Sequence, residues 1–186
     1  MTADNSDLAL AFPGSLREDA LRVASILPQP SITTEPFSVR VGGEDVLIPY
    51  RIYHDLALIE PEQLTPLQAK LLDCLLTRHH SGFVRENYLK SVVCSNHQWI
   101  SPFVVQLVGE YVIEILDAIS KNLDNLDPQL YRRFLTSNPN FHALTKQRVV
   151  SYWECYYWRQ PKEHYAGFRI LEHFDRLVGK ASRPQA

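Results

Sequence analysis

Cysteine is scarce in this chain: three in 186 residues, Cys74, Cys94 and Cys155, each far from the others. An odd count without close pairs excludes a disulfide framework, and the lack of any C-x-x-C pair removes the usual zinc and redox signatures. Each thiol lies among apolar neighbours, which predicts three small buried side chains in a reducing compartment. Long apolar runs are missing too. The run Leu8 to Phe12 follows Asp4 and Asp7 rather than a basic start, so it does not read as a secretory signal. The richest apolar stretch, residues 103–119, is interrupted by Gln106, Glu110, Glu114 and Asp117, too costly a set for a membrane span. The expectation is a soluble, cytoplasmic protein. Positive charge is not in surplus: 19 Lys and Arg stand against 21 Asp and Glu, a formal net charge of −2. That argues against a general electrostatic nucleic-acid binder, which needs a basic excess to displace counterions.

Catalytic signatures are equally thin. The seven histidines form no H-x-x-x-H pair and no H-E-x-x-H motif. His54-Asp55 has no G-x-S-x-G serine to assist. His79-His80 follows Arg78 at the end of a helical pattern, where positive side chains suit unpaired carbonyl groups. No cofactor motif is present, and the expectation is a non-catalytic protein.

What remains is an ordinary globular composition, 45% hydrophobic and 22% charged, which excludes a largely disordered chain. The pattern predicts a mainly α, compact, bundle-like domain over residues 15–179 with one N-terminal β-hairpin at 37–48. Residues 1–14 and 180–186 are expected to be loose ends. Ser15 with Glu18 has capping-box spacing ahead of an apolar stripe that Pro28 ends. Phe37, Val39 and Val41 alternate with polar residues, then Gly42-Gly43 supplies a turn into Val46 and Ile48. Thr65-Pro66, Ser101-Pro102 and Asp127-Pro128 each pair a cap residue with a first-turn proline. Asn138-Pro139 and Thr145 mark further starts, and Pro161 precedes the last helix.

Two regions hold the candidate functional residues. A long central helix is predicted from about Ser101 to Leu123. On a wheel, Gln106, Glu110, Glu114 and Asp117 fall within about 80° of one another and leave the rest apolar. Glu110 and Glu114 are candidate metal ligands or acid–base groups working with a histidine, or else partners of Arg85 or Arg148. The second region is Tyr152-Trp153-Glu154-Cys155-Tyr156-Tyr157-Trp158, five large rings in seven positions, flanked by Arg148 and Arg159. Residues 127–186 hold seven Arg and three Lys against two Asp and three Glu, so this third is locally basic and the remainder acidic. Tyr, Trp and Arg dominate binding hot spots. The preferred reading is therefore a protein-interaction or scaffold domain, with Arg148, Tyr152, Trp153, Tyr156 and Arg159 meeting a protein partner or a second copy of the chain. An alternative assigns Arg132, Arg133, Arg148 and Arg159 to a phosphate ligand or nucleic acid.

Overall fold

The computed structural model describes residues 5–59 and 64–179. It is mainly α, with one two-stranded antiparallel hairpin near the N-terminus. By its contacts the chain divides into two compact units, Met1–Val92 and Val93–Ala186.

In the N-terminal unit the described part of the expected loose start, from Asn5, is packed rather than loose. A 3-10 helix over Asn5–Ala11 buries Asn5, Ala9 and Ala11, and Phe12 follows them inside. Its apolar residues cover the hairpin, which cannot stand alone in water. Residues 1–4 and the tail 180–186 lie outside the described residues. Helix α1 (Arg17–Ile26) lacks the predicted Ser15 cap. The chain enters it through a 3-10 turn at Gly14–Leu16, so Ser15 is already inside a turn. Gly14 instead donates its N–H to Glu44 Oε2 at 2.7 Å.

The hairpin matches the reading of the sequence: β1 (Pro36–Val41) pairs with β2 (Glu44–Pro49), with Phe37 opposite Ile48 and Val39 opposite Val46. Gly42 and Gly43 have φ of 62° and 94°, the left-handed values that a two-residue hairpin turn requires at both centres. Val39, Val41, Val46 and Ile48 form the buried face.

Helix α2 (Pro66–Leu76) carries the full capping box, with Thr65 and Gln68 each accepting from the other's backbone N–H. It packs against α3 (Gly82–Val92) across the turn at 77–81. In that turn His79 does not cap α2. It forms an isolated parallel bridge with Ile52, in which Ile52 N–H meets Arg78 O and His80 N–H meets Ile52 O. The carbonyl groups this bridge leaves over are taken by buried guanidinium groups. Arg85 Nη1 donates to His79 O and His80 O, both at 2.8 Å, and Arg78 donates to Thr77 O and Tyr50 O.

The C-terminal unit is built of helices joined by turns, with no strand among its described residues. Helix α4 (Ser101–Val108) is buried at every position, as the wide apolar arc demanded of a central helix. The expected continuation to Leu123 is not there. The chain leaves the helix at Gly109 and restarts as α5 (Ile113–Lys121), so the acidic stripe does not exist as a stripe. Glycine weakens a helix interior, and here a Cβ at Gly109 would lie 3.1 Å from Arg148 Cδ, so a side chain crosses the break. Helix α6 (Pro128–Ser137) starts under Asp127, which accepts from Gln129 and Leu130. Helix α7 (Pro139–Tyr152) runs through Thr145 without a new start, because that hydroxyl bonds back to Phe141 O. Helix α8 (Ala166–Gly179) buries Ile170, Leu171, Phe174 and Leu177 against α5 and α6. Among the described residues no helix is long and apolar enough to cross a membrane.

Candidate functional site

The aromatic segment ends α7 and does so as a π-helix, Trp153–Tyr157. Such widened turns are rare and occur often at functional sites. Just beyond it, Gly167 lets the first turn of α8 lie against Val149: a Cβ there would stand 2.8 Å from Val149 Cγ1 and 2.6 Å from Tyr165 Cε1. The rings divide into two sets.

The inner set faces α8. Trp153 meets Phe168 edge to face at 5.8 Å, and its Nε1 donates to Gln160 O at 3.0 Å. Lys162 Nζ sits 4.8 Å above the Trp153 ring, a cation–π contact within the unit. Tyr157 stacks on the fully buried Tyr165 at 5.1 Å and donates its hydroxyl to Tyr111 O at 2.7 Å. Burial, and next the charge of Glu114, push the Tyr157 phenol up, while burial pushes Tyr165 far above the normal tyrosine range. Both phenols are neutral at physiological pH, and Tyr157 acts as a donor.

The outer set is a triangle. Tyr111, from the break between α4 and α5, lies 5.9 Å from Tyr152 and 5.8 Å from Tyr156, and the last two are 6.2 Å apart. Tyr111 is 51% exposed and Tyr156 64%. Trp158, 60% exposed, follows with Arg159 lying 5.2 Å from its ring. Tyr152 is half-buried.

Of the residues predicted to bind a partner, the structure brings Tyr152 and Tyr156 together at the surface. It puts Trp153 among the inner rings and Arg159 on Trp158. Arg148 is a half-buried brace, its Nη1 3.3 Å from Gln106 Oε1 and its stem against Gly109. Tyr111 was missed because a continuous helix placed it on the inward arc. The glycine two residues before it was the available signal. Arg132 and Arg133 are exposed on α6, a different element from Arg148 and Arg159. Glu110 is buried at the helix break, whereas Glu114 is exposed in the first turn of α5. Among the described residues no group of three His, Cys, Asp or Glu side chains is placed to hold a metal ion. Of the three thiols only Cys74 is buried. Cys94 is exposed beside Asn122, and Cys155 is exposed on the π-helix.

Flat uncharged rings with hydroxyl tips exclude water on contact and still offer hydrogen bonds at their rims. Nothing in the triangle supplies a nucleophile with an adjacent base. No protein-family model, no curated protein and no solved structure matches this chain.

Proposed function

We propose that the C-terminal unit is a protein-docking module whose contact surface is the Tyr111, Tyr152 and Tyr156 triangle with Trp158 and Arg159 at its side. The simplest partner is a second copy of the chain. One observation carries this reading: two mutually touching tyrosines and a neighbouring tryptophan are each more than half exposed, although inward-facing positions exist on the same segment. Aromatic and arginine anchors of this kind dominate interface energetics.

Sedimentation velocity from about 10 μM to about 1 mM tests it, a range that spans weak self-association. The expected result is a concentration-dependent rise towards dimer mass in the native protein. A Tyr111→Ala/Tyr156→Ala double variant is expected to stay monomeric with its melting temperature nearly unchanged, because exposed positions contribute little to folding. A native protein that remains monomeric throughout removes the second copy as partner. RNA binding that weakens steeply with salt and needs Arg132, Arg133, Arg148 and Arg159 would replace this reading with the phosphate one.

A further inference from the structure

The N-terminal unit contains a cavity of about 620 Å³ between the 3-10 helix at Asn5–Ala11, the segment 30–34 and the hairpin. That volume lies in the range of small-molecule sites. Leu8, Leu10, Ile32 and Leu47 line it, and Ile32 and Leu47 remain exposed there, so part of the unit's apolar surface is left uncovered at this place. Pro36 and Pro49 face each other across the two strands at its edge, which holds the wall rigid without a ligand.

The charges lining the cavity are unequal in their freedom. Arg51 is engaged by its own neighbour: Nη1 donates to Tyr50 O at 2.9 Å, and the guanidinium lies 5.1 Å from the Tyr50 ring centre. Asp7 makes no hydrogen bond or ion pair among the described residues, and it is exposed. His54 also lines the cavity and is 4% exposed. Its Nε2 lies 3.1 Å from Asn5 Oδ1, and the Asn5 amide donates to Leu27 O and Pro28 O. That arrangement makes His54 the donor at Nε2, and burial, which lowers its pKa to about 4, leaves the ring uncharged at physiological pH.

We propose that this cavity is a binding site for a small amphipathic amine, its apolar body against Leu8, Leu10, Ile32 and Leu47 and its ammonium group on the Asp7 carboxylate. The charge complementarity is one anion without an ion pair beside an apolar wall; among the described lining residues Arg51 keeps its charge but is held on the Tyr50 carbonyl and ring rather than paired with Asp7. The inference concerns the N-terminal unit alone and stands or falls independently of the docking surface.

Three indole probes that differ in charge read it: tryptamine, the neutral tryptophol and the anionic indole-3-propionate, each titrated into the isotope-labelled full chain. Tryptamine is expected to shift the backbone amides of Thr33, Thr34 and Leu47 saturably. It should bind about tenfold more tightly than indole-3-propionate, since the same carboxylate attracts one and repels the other. Asp7→Asn is expected to bring tryptamine down to the affinity of tryptophol, with no change in melting temperature. Ile32→Ser, at an exposed position, should weaken all three probes together. The proposal is overturned if tryptamine gives no saturable shift by about 5 mM. It is equally overturned if the anion binds as well as the cation, or if Asp7→Asn leaves the preference intact.

Discussion

The buried arginines of the N-terminal unit and the surface arginines of the C-terminal one do opposite work. In the N-terminal one, Arg78 and Arg85 are fully buried and spend their guanidinium groups on the carbonyls of Tyr50, Thr77, His79 and His80. In the C-terminal one, Arg132, Arg133, Arg159, Arg169 and Arg176 are all exposed. The difference follows from the backbone around them. A helix satisfies its own carbonyl groups, so an arginine on its surface has no interior acceptor to reach. The irregular turn at 77–81 and the single bridge to Ile52 leave carbonyls inside the protein, and a buried acceptor without a donor costs about 1–3 kcal/mol. An arginine fork meets several at once. A cluster of arginines in a sequence is therefore a poor guide to function until it is known which of them the backbone requires.

The sharpest way to break this contrast is a pair of substitutions. Arg85→Ala is expected to cost about 3 kcal/mol or more in urea unfolding, because two carbonyl groups lose a charged donor. Arg133→Ala should stay within about 0.5 kcal/mol, as exposed helical positions do. Similar losses at the two sites would erase the distinction between interior and surface arginines.

A second test uses acid. Burial, helped by the neighbouring His79, lowers the His54 imidazole from 6.5 to about 4. The unfolded chain takes up that proton near pH 6.5 and the folded one only near 4. Stability is therefore complete above pH 6.5, falls as the pH drops through that window, and has lost about 3 kcal/mol below it. Burial lowers His79 and His142 as well, which acts in the same direction, while the raised Asp73 carboxyl acts against it. His54→Gln should flatten the pH profile measured by denaturant unfolding. An unchanged profile would show that His54 is not the group responsible.

The smallest effect is expected in the C-terminal unit. Tyr165 is fully buried and its hydroxyl has no hydrogen-bond partner among the described residues. Tyr165→Phe keeps the stack on Tyr157 and removes the stranded group, so the melting temperature should hold or rise, by up to about 1 kcal/mol of added stability. A clear loss would mean that the hydroxyl is satisfied by water.

Much of the architecture was legible locally. The Gly42-Gly43 turn, the Thr65 and Gln68 capping box and the Asp127 cap are interactions between residues close in sequence, so spacing alone reveals them. The same reasoning failed where a distant segment intervened. Ser15 is drawn into a 3-10 turn whose first residue, Gly14, is bound by Glu44 thirty residues away, and the long helix broke where the Arg148 side chain crosses Gly109. The candidate site was half legible. Tyr152 and Tyr156 were identifiable as surface candidates, but so was Trp153, which packs inward, and Tyr111 was not identified at all. Ring composition says that a segment has a large area to bury. It does not say which rings find neighbours.

The amino-acid sequence by itself determined the mainly helical class, the hairpin with its turn, and the points where most helices begin, because these depend on backbone angles and on bonds within four residues. Tertiary structure alone decided which arginines are interior braces, where the central helix stops, and which tyrosines meet at the surface. Those outcomes depend on groups far apart along the chain competing for the same carbonyl, the same space or the same solvent-free face, and no local pattern records who wins.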